Sequence, residues 1–80
     1  MTKIEKQLRA IPGKYRERVF LAMGQIMMRD FSLLDRLQLK GYENIFRIRV
    51  GNYRIIYFDD GENIIFKAVR RRNESTYRDF

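Results

Sequence analysis

The sequence predicts an α+β fold: two N-terminal helices packed on a three-stranded antiparallel sheet. Two patterns lead there. Apolar residues recur at helical spacing through the first part of the chain, and from Phe46 onward they alternate with period two. Size bounds the answer. Eighty residues, 45% apolar and 14% aromatic, make one globular domain over 1–80 with a thin core.

Thr2 with Glu5 three residues later has the spacing of a helix-capping box. Ile4, Leu8 and Ile11 follow at helical intervals, and Pro12-Gly13 interrupts them. A second helix is expected from about Lys14 to Met28. Tyr15, Val19, Ala22, Met23, Ile26 and Met27 form its apolar stripe. Four methionines suit an adaptable binding groove, yet core packing of Met23 and Met27 is the simpler expectation. Asp30 to Lys40 carries Phe31, Leu33, Leu34, Leu37 and Leu39 without a regular period. It reads as a short helix or an extended connector ending at Gly41.

Phe46-Arg47-Ile48-Arg49-Val50 alternates as a half-buried strand does. Gly51-Asn52 supplies a two-residue turn with glycine first, the type II′ preference. Tyr53 to Phe58 returns, Asp59-Asp60-Gly61 turns again, and Asn63 to Val69 is the third strand. This turn places Val50 opposite Tyr53, Arg49 opposite Arg54, Ile48 opposite Ile55 and Arg47 opposite Ile56. If the second turn is also even, Arg54 faces Lys67. One face then carries Phe46, Ile48, Val50, Tyr53, Ile55, Tyr57, Ile64, Phe66 and Ala68, and packs under the helices. The other gathers Arg47, Arg49, Arg54 and Lys67, with an apolar end at Ile56, Phe58 and Ile65 that calls for a cover.

That second face carries the functional expectation. Seventeen Lys/Arg against ten Asp/Glu give a net charge of +7, which favours a polyanion. Like charges directly opposite on a sheet cost up to about 1 kcal/mol per pair, so a bound anion between Arg49 and Arg54 relieves a real penalty. Guanidinium groups suit phosphate because they donate paired, charge-assisted hydrogen bonds. Arg70-Arg71-Arg72 then leaves the third strand, and alternation sends at least one of them to each face. Tyr77, in the tail, can stack on a base or hydrogen-bond a reacting hydroxyl. A solvated basic tail and a hydrophobic anchor are the plainer readings of those residues.

Other chemistries find less support. With no histidine, a His–His acid/base ribonuclease is excluded. The acidic residues show no metal-ligand spacing, so no cofactor or metal is expected. With no cysteine there are no disulfides, which fits a reducing compartment. No apolar run reaches membrane length and no secretion signal opens the chain, so the cytoplasm is the expected location, without membrane association.

The stretch Leu39-Lys40-Gly41-Tyr42-Glu43-Asn44-Ile45-Phe46-Arg47-Ile48-Arg49-Val50-Gly51-Asn52-Tyr53-Arg54-Ile55-Ile56-Tyr57 resembles toxins of the RelE/ParE superfamily. So does the ending Arg70-Arg71-Arg72-Asn73-Glu74-Ser75-Thr76-Tyr77. The resemblance implies the toxin of a type II toxin–antitoxin system, with a cognate antitoxin as partner. In the RelE branch it implies a metal-free endoribonuclease acting on mRNA at the ribosome. Carried over by position, Arg47 and Arg49 match lysines that grip the RNA backbone; arginine keeps the charge but cannot serve as a neutral amine. Arg54 matches the arginine that stabilises the scissile phosphate, Tyr77 the C-terminal catalytic tyrosine, and Arg71 or Arg72 the late catalytic arginine. Lys67 and Arg70 join the expected RNA-binding set.

The resemblance departs in one respect. RelE-type chains open with an apolar strand before the first helix; here Thr2 already caps the helix, so the expected sheet lacks an edge strand and exposes a pairing edge. A ParE-like gyrase inhibitor and an inactive homologue that binds only RNA or antitoxin are the alternatives left open.

Overall fold

The structure, a computed structural model, describes residues 2–71. Two helices, α1 (Lys3–Arg9) and α2 (Gly13–Met27), lead into four strands: β1 (Asp35–Gln38), β2 (Ile45–Val50), β3 (Tyr53–Asp59) and β4 (Ile64–Arg71). The sheet is an antiparallel meander in the order β1-β2-β3-β4.

Thr2 caps α1 as its spacing predicts: its hydroxyl accepts the Glu5 N–H at 3.2 Å. At the far end of α1, Arg16 donates from Nε to Leu8 O, and from Nη2 to Arg9 O and Ile11 O, at 2.8–3.0 Å. These bonds give partners to carbonyls at and just beyond the C-terminus of α1, where Leu8 O also takes the Ile11 N–H. α2 buries Val19, Ala22 and Ile26, with Tyr15 and Met23 packed against the same core. Met27 leaves the expected stripe and is 57% exposed, because it lies about 90° around the helix from the stripe's centre. After Met28, Arg29 adopts φ 58 and donates to Ile26 O, while Asp30 donates to Gln25 O. This is a Schellman end with arginine where glycine is usual.

The β2–β3 register is the one the sequence predicts: Val50 opposite Tyr53, Arg49 opposite Arg54, Ile48 opposite Ile55 and Arg47 opposite Ile56. Gly51 takes φ 57 at the head of the turn, as a type II′ turn requires. Ile48, Ile55 and Tyr57 are fully buried under the helices with Val19 and Ile26.

Two expectations are corrected. First, the sheet has four strands, since Asp35–Gln38, expected as part of a short helix or connector, pairs with β2. All four of its residues are exposed, so no apolar alternation marks it. Second, the β3–β4 ladder is bulged: Tyr57 faces Phe66 but Ile56 faces Ala68, leaving Lys67 as the extra residue. Beyond the bulge every side chain changes face. Arg54 therefore stands opposite Arg70, not Lys67. Val69 enters the helix-side core, and Ala68, expected there, joins Leu39 and Ile56 in a second small cluster on the outer face.

The two sheet edges differ. On β4 the Val69 N–H donates to Gln7 Oε1 of α1 at 2.7 Å, which closes part of that edge. β1 forms the other edge.

Candidate nucleic-acid interface

Alternation fixes what the outer face displays. With Ile48 and Ile55 buried beneath the helices, their neighbours Arg47, Arg49 and Arg54 point the other way. The register then lays out rows across the strands. One row reads Asp35, Arg49, Arg54, Arg70. The next reads Leu37, Arg47, Ile56, Ala68. A third reads Ile45, Phe58, Ile65. Cations crowd one end of the face and apolar groups the other. Ile56, expected to need a cover, is already fully buried, whereas Ile65 and Leu37 are about half exposed.

Three arginines stand directly opposite one another on three adjacent strands, and like charges so placed repel one another. Asp35 offsets part of it. Its Oδ2 lies 3.3 Å from Arg47 Nη1 and 3.9 Å from Arg49 Nε. Arg47 is buried, only 7% exposed, whereas the Asp35 side chain is 59% exposed. The Nε atoms of Arg47 and Arg49 are buried without a hydrogen-bond partner among the described residues. Buried donors without a hydrogen bond are rare in proteins, so these two atoms are available to an oxygen acceptor.

The remaining expected site residues fall as follows. Arg70 joins the outer row. Arg71 stands opposite Tyr53, on the helix side, and is exposed. With Gln7, Ala10, Ile11, Tyr53, Val69 and Arg70 it lines a pocket of about 330 Å³ beside the end of α1. Lys67, half-buried, lies in the bulge rather than across from Arg54. Arg72 and Tyr77 lie outside the described residues.

At the opposite end of the sheet sits a polar network that the sequence does not reveal. Arg29 Nη1 donates to Asp59 Oδ1 at 2.7 Å. Arg36 donates from Nη2 to Asp59 Oδ2 at 3.2 Å and from Nε to the Tyr57 hydroxyl at 2.7 Å. The Arg36 guanidinium lies over the Phe31 ring at 4.2 Å and the Phe46 ring at 3.8 Å. Burial alone would push the Asp59 carboxyl up. The Arg29 hydrogen bond, the Gly61 N–H and the charges of Arg29 and Arg36 outweigh it and hold the group below its ordinary value. Burial raises the Tyr57 phenol, only partly opposed by Arg36. This network fastens β1 to β3 and so holds Asp35 beside the arginines.

Among the described residues no cluster of His, Cys, Asp and Glu could hold a metal ion, and no helix is long and apolar enough to cross a membrane.

Comparison with known proteins adds three findings. Residues 1–76 match the family model described as ParE toxin of type II toxin-antitoxin system, parDE. Toxin RelE3 of Methanocaldococcus jannaschii is 41% identical over 71 residues, covering 84% of this chain and 80% of that protein. Among solved structures, the RelB-RelE antitoxin-toxin complex from Methanococcus jannaschii superposes with a TM-score of 0.78 at 36% identity, over 90% of this chain and 87% of that one. The archaeal RelE-RelB complex from Pyrococcus horikoshii OT3 gives 0.70 at 23% identity, over 94% and 92%, a likeness of fold.

Proposed function

Since this chain belongs to the ParE toxin family of type II toxin–antitoxin systems, within the RelE/ParE superfamily, we propose that it is a metal-free endoribonuclease that cuts mRNA, on the ribosome, until a cognate antitoxin neutralises it. The observation that carries this reading is the row Arg49, Arg54, Arg70 across three strands of one sheet face. Such a row sets forked cationic donors side by side on neighbouring strands, which suits the oxygens of a phosphodiester.

The reaction is an internal transfer. The RNA 2′-oxygen attacks the adjacent phosphorus, the P–O5′ bond breaks, and the hydroxyl proton leaves as the 5′-oxygen gains one. The products are a 2′,3′-cyclic phosphate and a 5′-hydroxyl. Charge builds on the non-bridging oxygens, and fixed guanidinium groups aimed at that charge supply the largest catalytic term. Arg54, central in the row, takes that role, with Arg49 and Arg70 on either side. Tyr77 activates or orients the nucleophile. Arg71, on the helix side, reaches RNA outside the scissile phosphate, and Arg72 follows it in the chain.

The antitoxin is the expected protein partner, because the two solved relatives are toxin–antitoxin complexes. Inhibition of gyrase is the second reading, favoured by the ParE description of the matching family model. One experiment separates the two. The protein is added to a translation system and mRNA ends are mapped, in parallel with a DNA supercoiling assay. Cuts within codons, lost in Arg54→Ala by about 100-fold or more, support the ribonuclease. Intact mRNA with blocked supercoiling supports the gyrase reading, and cutting that survives Arg54→Ala refutes the site.

A further inference from the structure

The row of arginines ends in an acid, and that acid bears on how the face takes up RNA. From its position we infer that the Asp35 carboxylate is a resident stand-in for phosphate: it occupies the seat between Arg47 and Arg49, and an RNA phosphate displaces it on binding. The inference rests on the ribonuclease reading above and names a residue that gates the same face.

Four observations combine. Asp35 stands opposite Arg49 at the exposed edge of the sheet. One oxygen, Oδ2, serves both guanidiniums, at 3.3 Å and 3.9 Å. Both distances exceed the 2.7–2.9 Å of a good charge-assisted hydrogen bond, so the carboxylate is held loosely. Finally, Arg47 is nine-tenths buried, and the Nε donors of both arginines make no hydrogen bond among the described residues, Arg49 Nε reaching Asp35 only as the 3.9 Å ion pair. A carboxylate of one negative charge cannot satisfy two forked cations. A phosphodiester presents non-bridging oxygens that accept from both. Because Asp35 is 59% exposed and on a short edge strand, it can rotate into water and yield the seat without disturbing the core. While seated it lowers the mutual repulsion of the arginines and weakens the pull of the face on RNA.

The test measures binding without cutting. The probe is a short single-stranded RNA carrying 2′-O-methyl groups at every position, followed by fluorescence anisotropy with the full chain across a salt series. Asp35→Asn is expected to bind at least fivefold more tightly at low salt. The slope of log K against log salt should change little, since in both proteins the same phosphate fills the seat in the complex. Glu17→Gln makes the same change in net charge on the helix side and should alter affinity less than twofold. In an Arg49→Gln background, Asp35→Asn should lose most of its gain. Unchanged or weaker binding by Asp35→Asn, or an equal gain from Glu17→Gln, overturns the inference. If Arg54→Ala still weakens binding in that event, the ribonuclease reading stands. If wild-type protein does not bind the probe at all, that reading fails and this inference with it.

Discussion

Single side chains settle more here than the small core would suggest. Asp59 is the clearest case. It accepts from Arg29, Arg36 and the Gly61 N–H, joining the end of α2, the edge strand β1 and the β3–β4 turn. Arg29 sits at φ 58, which costs a non-glycine residue about 1 kcal/mol, and the 2.7 Å bond to Asp59 offsets that strain. Asp59→Asn should therefore cost roughly 2 kcal/mol at neutral pH, a fall of about 10 °C in melting temperature, read by thermal denaturation. The pH dependence has a definite sign. The folded carboxyl titrates below its ordinary value of 3.8, so its contribution is complete above about pH 4 and is lost as pH falls through the lowered value. The gap between wild type and Asp59→Asn should narrow below pH 4. A gap that stays constant to pH 2 would contradict the assignment.

At the level of elements, the bulge in β4 determines which arginines meet. Phe66 faces Tyr57 and Ala68 faces Ile56, so the chain passes Lys67 without a ladder partner. A regular ladder with Phe66 held under the helices would send Arg70 to the helix side. Deleting Lys67 should remove the bulge and leave both flanking pairs in place. The variant is expected to fold, to lose no more than about 1 kcal/mol, and to keep RNA affinity within threefold. A large loss of affinity would show that Lys67 itself grips RNA; a scrambled amide NMR spectrum would show that the bulge sets the register. The edge strand teaches a related lesson. Asp35–Gln38 has no buried residue and is held by Arg36 through Tyr57, Asp59 and two aromatic rings. Its stability comes from partners far along the chain, which no local pattern announces.

Across the whole molecule, charge and apolar surface are segregated. The net charge is +7, and the outer sheet face concentrates Arg49, Arg54 and Arg70 in one row. If these three arginines meet three phosphates, affinity for an uncut single strand should fall with salt at a log–log slope of about −2. A slope near zero would mean that the face is not a phosphate site. Elsewhere Phe20, Leu21, Met28 and Leu33 are at least half exposed, and Phe20, Leu21 and Met28 line a groove with Gly24 along α2. Exposed apolar side chains in such a concentration are characteristic of a chain that works with a protein partner.

The sequence by itself determined the helix pair, the Thr2 cap, the β2–β3 hairpin and the confrontation of Arg49 with Arg54. Each depends on residues close along the chain, where periodicity, caps and a two-residue turn leave little freedom. Only the tertiary structure decided that Arg70 rather than Lys67 faces Arg54, that Ala68 and Val69 exchange faces, and that Asp35 reaches Arg47 and Arg49. Those outcomes hang on one unpaired residue in β4 and on an edge strand held from the other end of the sheet. Such features come from the competition of distant contacts for the same backbone, and that competition is resolved only when the chain is packed.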